Sequence, residues 1–275
     1  MFNIIVVFYF NVWHSFCIIL DKNIKKKYYM NNLNFIRNCS NEDLKILVDY
    51  ITKDEKGKTR YTECLTSKEC YKRNYPDNIA AFSDEIINEL SRFGGNTLMN
   101  IIRGEGVSYK QLLCDVCDKM KVNYNKKSSV EVIENNFLQT ILINSLEDMS
   151  HDDMKALIDS MEIRTMGFGK QAMVVAIQAA ILNGGFTPYK MAVIVANAVA
   201  KSLLGRGLAL AANAALVKAM NIFAGPIGFA ASVLWTVVDI AGPAYRVTIP
   251  AVAQICYMRR FSQKLLTDKC NTYEN

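Results

Sequence analysis

The feature that most constrains the fold of this chain is an apolar block, rich in glycine and alanine, that extends from Gly167 to Arg260. No aspartate or glutamate occurs between Glu162 and Asp239. The segments of this block are apolar nearly all round, a pattern typical of helices that are buried on every side. The block must therefore be covered, either by other parts of the protein or by lipid.

Turns containing glycine or proline divide the block into short helices. We predict helices over 170–182, 188–204, 208–223 and 226–240, and a last helix from about Pro250 to near Lys264. A bilayer span requires roughly 20 uninterrupted residues. The charge-free stretch 219–238 is broken at Gly225–Pro226, and the charge-free stretch 171–189 is broken at Gly184–Gly185. Buried core helices are favoured, and association with a membrane remains the alternative.

The preceding region differs in both charge and pattern. Residues 30–162 carry 17 basic and 22 acidic side chains, whereas residues 163–275 carry 11 and 3. Apolar residues recur at helical spacing through 30–162, and we expect Ser40, Ser108, Ser128 and Ser150 to cap successive helices. No stretch alternates with period two, so the sequence predicts an all-α fold. An amphipathic helical domain, 30–162, would pack with an apolar helical domain, 163–275.

Residues 1–29 form a separate segment. Met1 to Leu20 is apolar and free of charge, and four lysines follow it. One interpretation is a membrane anchor that leaves the rest of the chain in the cytoplasm. The other is an upstream sequence translated from a misassigned start, because Met30 opens a stretch that reads like the beginning of an ordinary domain.

Motifs for catalysis or cofactor binding are weak. The run that ends in Gly57-Lys58-Thr59 lacks the first glycine of a phosphate-binding loop. Gly167-x-Gly169 lacks the acid that a dinucleotide site needs about twenty residues later. The two histidines, His14 and His151, supply little material for a triad or a zinc site. We expect no enzyme activity, no cofactor and no small-molecule substrate.

Cysteines and basic residues also have ordinary interpretations. Cys114 and Cys117 form a C-x-x-C pair inside a helical run without a second pair or a nearby histidine, and we interpret them as core cysteines. The pair Arg259–Arg260 is the nearest approach to a basic patch, too weak for nucleic acid. Basic residues beside apolar helices suit an anionic lipid surface better.

Four further segments are distinctive. They are CSNEDLKILVDYI (39–51), EKGKTR (55–60), RFGGNTLMNIIRGEGVSYKQLLCDVCDKMKV (92–122) and AYRVTIPAVAQICYMRR (244–260). These segments resemble the YaaW family of uncharacterised bacterial proteins, and the resemblance covers essentially residues 30–265. The middle region of that family is distantly similar to the ubiquinol–cytochrome c chaperone, a non-enzymatic all-α assembly factor. The resemblance implies a helical fold and no established activity.

The matching segments supply the candidate partner-binding residues. In the first half these are Gly94, Gly95, Asn96, Arg103, Gly104, Gly106 and Tyr109. They are open to two interpretations: turn glycines with a packed tyrosine, or a partner-binding groove lined by Arg103 and Tyr109. In the tail, Tyr245, Arg246 and Pro250 are expected to form a connector, and Asp239 is the expected ion-pair partner of a buried Arg246.

The sequence therefore favours a non-enzymatic, chaperone-like helical protein that binds a protein partner in the cytoplasm. The alternative is a protein whose apolar C-terminal helices associate with the anionic inner face of a membrane or insert into it.

Overall fold

Helices make up all the regular structure in the part of the chain that the computed structural model describes, residues 31–54, 56–94, 106–210, 212–236 and 245–273. These residues contain no β-strand, and a single β-bridge between Lys53 and Thr59 closes the charged turn after the first α-helix. The predicted all-α fold is confirmed. The two interpretations of residues 1–29 lie outside the described residues.

The helices of the first half are short. They comprise a 3₁₀ helix at Asn31–Asn38, α1 at Asn41–Thr52, α2 at Glu69–Asn74, a 3₁₀ helix at Ile79–Phe82, α3 at Ser83–Phe93, α4 at Tyr109–Lys119, α5 at Val130–Ser145 and α6 at His151–Met161. The second half contains α7 at Lys170–Leu182, α8 at Pro188–Leu204, α9 at Ala214–Thr236 and α10 at Tyr245–Tyr273.

Serine side chains begin four of the helices, because a hydroxyl oxygen can accept one of the backbone N–H groups that the first turn leaves unpaired. Ser40 accepts from the N–H of Asp43 at 3.1 Å, and Ser150 accepts from that of Asp153 at 3.1 Å. Ser108 caps α4 in the same way. The fourth cap lies one residue later than predicted: Ser129, rather than Ser128, accepts from Val132.

Two helices of the apolar block, α8 and α10, form the centre of the molecule. Every residue from Met191 to Ala200 in α8 is buried, and so is every residue from Val247 to Arg259 in α10. Ten or more consecutive buried residues mean that neighbours surround each helix on all sides. The two helices pack against each other, and α9 lies along α8.

Helices of the first half cover this centre. The helices α1, α3 and α4 and the 3₁₀ helix Asn31–Asn38 pack on α10, and α5 packs on α8. The amphipathic part thus supplies the apolar contacts that the second half requires. Within the described residues, no helix has both the length and the apolar content needed to cross a membrane.

The boundaries of α7 and α8 agree with the prediction, but the predicted break at Gly225–Pro226 and the predicted start of the last helix are wrong. Helix α9 continues through Pro226, and α10 begins at Tyr245 and contains Pro250. A proline inside a helix removes one backbone hydrogen bond. The packing of Phe223 and Ile227 on either side of Pro226, both buried, outweighs that loss. Pro250 is itself buried in the core, so it does not act as a connector.

The start of α9 also differs, at Ala214 instead of 208. The side-chain oxygen of Asn197 accepts the backbone N–H of Leu208 at 3.1 Å. This hydrogen bond holds Leu208 in the connector before the helix. Asn213 then accepts the N–H of Leu216 at 2.9 Å and caps the helix. The contact with Asn197 and the cap at Asn213 thus place the start of this helix later than predicted.

We predict that amide hydrogen exchange is slowest in Met191–Ala200 and Val247–Met258, because backbone surrounded by packed side chains opens only with the whole molecule. Peptides from α7, which is half exposed, should exchange faster than those from α8. Exchange measured by mass spectrometry at neutral pH checks this order. Equal rates in α7 and α8 would contradict the arrangement of a central and an outer helix.

Candidate functional site

Two candidate glycines, Gly94 after α3 and Gly106 before α4, lie in close-packed positions rather than in open turns. Gly94 has an extended backbone (φ −78°, ψ 132°), so it does not end α3 in the left-handed conformation that glycine often adopts after a helix. A Cβ on Gly94 would lie 2.5 Å from Val107 Cγ2, and one on Gly106 would lie 2.7 Å from the backbone C and O of Ser91. Gly95, Asn96, Arg103 and Gly104 lie outside the described residues.

Tyr109 lies in the core, and only 3% of its surface is exposed. Its hydroxyl donates a hydrogen bond of 2.7 Å to Oε1 of Glu134 in α5. The sequence left two interpretations open for this tyrosine, a packed side chain or part of a partner-binding groove. The structure agrees with the first, because Tyr109 is buried and does not line a surface groove.

The three tail candidates lie in the first turns of α10. The ammonium group of Lys119, at the end of α4, lies 5.2 Å from the ring centroid of Tyr245. Arg246 lines a cavity against α1, and Pro250 is buried. Asp239, the expected partner of Arg246, lies outside the described residues. Helix α4 packs on α10, so two segments that carry the family resemblance meet in the structure.

The carboxylate of Glu134 is the centre of the buried polar groups around Tyr109. Its side chain has no exposed surface, and Nε of Arg259 lies 3.0 Å from both carboxylate oxygens. The Arg259 guanidinium also lies 4.6 Å from the ring centroid of Phe35 and 5.7 Å from that of Tyr109. The neighbouring Arg260 donates to the carbonyl oxygen of Glu131 at 2.8 Å. We call Tyr109, Glu134 and Arg259 the buried ion-pair cluster.

Burial shifts the pKa values in this cluster. Burial raises the pKa of the Glu134 carboxyl, while the charge of Arg259 and the hydroxyl of Tyr109 oppose that rise. Burial also raises the pKa of Tyr109, and the nearby Glu134 charge adds to the effect. For Arg259, burial would lower the pKa, but the carboxylate outweighs it and the pKa is raised. The Tyr109 hydroxyl, the Glu134 carboxylate and Nε of Arg259 are thus paired with one another, as a buried charge requires.

The sequence analysis did not single out Glu134, and it considered Arg259 only as part of a surface patch. The structure buries Arg259, so the pair Arg259–Arg260 does not form a basic surface patch. A signal was available: Arg259 follows a long uncharged run in a helix apolar all round, and a charge in such a helix needs a buried partner. Nothing in the sequence indicates that the partner is in α5.

Cys114 and Cys117 are both buried in α4 as free thiols. Burial raises the pKa of the Cys117 thiol to about 12. A thiol with so high a pKa is a poor nucleophile and a poor metal ligand at neutral pH. The described residues contain no group of His, Cys, Asp and Glu that could hold a metal ion. The interpretation of this pair as core cysteines is confirmed.

The outer side of α7 and the loop before it expose apolar side chains. Val175, Ala179 and Leu182 are exposed at helical spacing, and Met166 and Phe168 are exposed in the loop before the helix. Residues 171–189 carry no charge. The loop is held in place, because a ring nitrogen of His151 lies 2.9 Å from the carbonyl oxygen of Phe168. We call these five apolar residues the α7 surface.

Comparisons with known proteins identify a family. Residues 31–61 match a family described as "Domain of unknown function (DUF3944)". A UPF0174 protein of Helicobacter pylori is 43% identical over 242 residues, which is 88% of this chain and 95% of the relative. A second Helicobacter pylori UPF0174 protein is 39% identical and covers 72% of this chain and 97% of its own length. No solved structure matches.

The chain is thus an all-helical protein with a buried ion-pair cluster and belongs to the UPF0174 family. The Escherichia coli relative is named UPF0174 protein YaaW and is 30% identical over 239 residues, 84% of this chain and 95% of the relative. The resemblance to YaaW is confirmed. The distant similarity to the ubiquinol–cytochrome c chaperone stays a prediction.

We predict that breaking the buried pair costs far more stability than breaking an exposed pair of similar geometry. Glu134→Gln or Arg259→Met leaves one charge buried alone and should cost about 3–5 kcal/mol in the free energy of unfolding. The exposed pair of Arg37 Nη2 and Asp84 Oδ1, 2.8 Å apart, is the control; Asp84→Asn should cost less than about 1 kcal/mol. Urea denaturation of each variant measures these values.

The double variant E134Q/R259M tests the assignment further. It removes both charges, so it should be less destabilised than the sum of the two single variants. Additive losses would show that the two groups do not interact across α5 and α10.

We also predict that Gly106→Ala destabilises the protein by about 1–3 kcal/mol, because the new methyl group overlaps the Ser91 backbone in a packed region. Gly225→Ala, in α9, is the control. Nothing lies within 4 Å of its Cβ position, and alanine favours a helix over glycine. Thermal unfolding should show a lower midpoint for the first variant and an unchanged or higher one for the second. A neutral Gly106→Ala would contradict the close packing.

Proposed function

We propose that this protein is a non-enzymatic binding protein that docks a protein partner on the α7 surface. The observation that carries the proposal is the exposure of Val175 and Leu182, at 55% and 57%, on a helix that has no charge after Lys170. Exposed apolar groups that share a face are typical of interaction sites. The central parts of α8 and α10, residues 191–200 and 247–259, are covered by protein, and the outer side of α7 is not.

The chemistry of this surface favours an amphipathic helix as the partner. Val175, Ala179 and Leu182 repeat at the spacing of four and three residues that one helix presents to another. The small side chain of Ala179 between two larger ones would let a second helix approach closely. An apolar strip offers few hydrogen-bonding groups, so it suits the apolar side of a helix better than an extended peptide.

A binding role without catalysis is supported by how the described polar groups are used. Glu134 and Arg259 pair with each other, and the buried Glu89 accepts the N–H of Cys64 at 2.7 Å and lies 3.3 Å from Arg92. These groups hold helices and loops together. A chaperone-like action on the partner, in the cytoplasm, belongs to the same proposal and rests on the family resemblance of the middle region.

A second candidate is attachment to an anionic membrane surface without spanning it. The specific observation is that Phe168 and Met166 are exposed, at 58% and 106%, beside basic side chains. The Lys155 ammonium group lies 5.7 Å from the Phe168 ring centroid, and Lys170 follows at the start of α7. Exposed aromatic residues next to lysines are typical of proteins that lie on anionic lipid.

Site-specific photocrosslinking separates these candidates. A photoreactive amino acid at Val175 of the full chain, in cells, should crosslink to a discrete protein, and the same group at Val132, an exposed valine of α5, should not. The crosslinked peptide should lie in an amphipathic helix of the partner. Leu182→Glu should abolish the crosslink because it places a charge in the contact, and Val132→Glu should leave it intact.

The lipid candidate predicts a different pattern. The protein would float with vesicles that contain anionic lipid, and Phe168→Glu would abolish flotation. A protein crosslink at Val175 without flotation supports the protein partner. Flotation without a protein crosslink overturns the first proposal in favour of the second, and the absence of both overturns the docking role of the α7 surface.

A further inference from the structure

A line of four apolar positions follows the outer side of α7: Ala172, Val175, Ala179 and Leu182. The last three are exposed, and Ala172 is half-buried. Steps of three, four and three residues keep these positions in line, at the spacing with which two helices pack along each other. A different set of α7 side chains faces the core, namely Met173, Ile177 and Ile181. The outer line is therefore available for a contact outside the molecule.

The order of side-chain sizes along this line is self-complementary. From Ala172 to Leu182 the order is small, large, small, large, and in the opposite direction it is large, small, large, small. If a second α7 runs antiparallel along the first, Leu182 lies opposite Ala172 of the second copy, and Val175 lies opposite its Ala179. Each larger side chain then meets an alanine, so the two helices can approach closely without overlap.

The charges of α7 favour the same orientation. Its charged side chain is Lys170, at the first position of the helix, and residues 171–189 carry none. An antiparallel second copy brings each Lys170 to the last turn of the other helix, where the carbonyl groups carry partial negative charge. Gly184 follows that turn, and nothing lies within 4 Å of its Cβ position, so space is open there for a lysine side chain. In a parallel pair, the two Lys170 ammonium groups would lie side by side and repel each other.

We propose that the partner docked on the α7 surface is a second copy of this chain, in a twofold dimer whose two α7 helices are antiparallel. This inference rests on the proposed docking function and names its partner. A twofold contact uses the same surface on both copies, which is what a self-complementary line provides. Met166 and Phe168, exposed before each helix, lie beside the C-terminal end of the other helix and extend the contact.

Sedimentation velocity of the purified full chain tests the pairing. As the concentration rises from about 1 to about 100 µM, we expect the chain to pass from monomer to dimer, because the contact is small. Leu182→Glu should raise the dissociation constant at least about tenfold, since it places a charge from each copy in an apolar contact. Val132→Glu, at an exposed valine of α5, should leave the dissociation constant unchanged.

A charge exchange tests the antiparallel register. Ala179→Glu and Val175→Lys, both at exposed positions, should each weaken the dimer at least about tenfold when studied alone. An equimolar mixture of the two variants should recover most of the pairing as a mixed dimer. In that dimer the introduced carboxylate of one copy lies opposite the introduced ammonium group of the other, and the second contact keeps Val175 against Ala179. No recovery in the mixture contradicts the antiparallel pair.

The failure of this inference can be told apart from the failure of the docking function. A chain that stays monomeric over the whole concentration range overturns the pairing of two copies. A crosslink from Val175 to a different protein in cells would then leave the docking function standing, and the absence of any protein crosslink would overturn that function as well. A dimer that Leu182→Glu does not weaken also overturns the inference, because the two copies would then meet elsewhere.

Discussion

The ion pair between Arg259 and Glu134 places a full positive and a full negative charge in the middle of an apolar core. Neither charge could stay there alone, because removing an ion from water costs several kcal/mol that only a close partner with good geometry offsets. Arg259 on α10 therefore requires α5 beside it, Tyr109 brings α4 to the same point, and Phe35 covers the guanidinium from the first 3₁₀ helix. A single side chain thus orients four elements from both halves of the chain.

The packing of the first half on the second explains how helices that are apolar all round belong to a protein core. In α8 and α10 the consecutive buried residues touch other helices, so lipid is not needed to cover them. The uneven division of charge along the sequence has the same cause. The acidic, amphipathic helices present apolar faces to the centre and charged faces to water, whereas the central helices need few charges. The two halves of the sequence are therefore layers of one packed arrangement.

The α7 surface and the cavity that Arg246 lines arise in different ways. The α7 surface comes from one stretch of sequence, 166–182, and no described element packs over the outer side of that helix. The cavity exists only where segments almost 190 residues apart in sequence come together, Arg60 from the charged turn and Arg246 from α10. The first feature depends on one helix and the loop before it, whereas the second depends on the contact between α1, α8 and α10.

The sequence by itself determined the helical class, the boundaries of α7 and α8, and three of the four serine caps, because these depend on contacts within a few residues. It also indicated that the apolar block needed cover, which residues 191–200 of α8 and 247–259 of α10 have. Only the tertiary structure decided that α9 continues through Pro226, that α10 begins at Tyr245, and that Arg259 pairs with Glu134. In each case a contact distant in sequence outweighs the local preference, and the periodicity of one segment carries no information about which segment will pack against it.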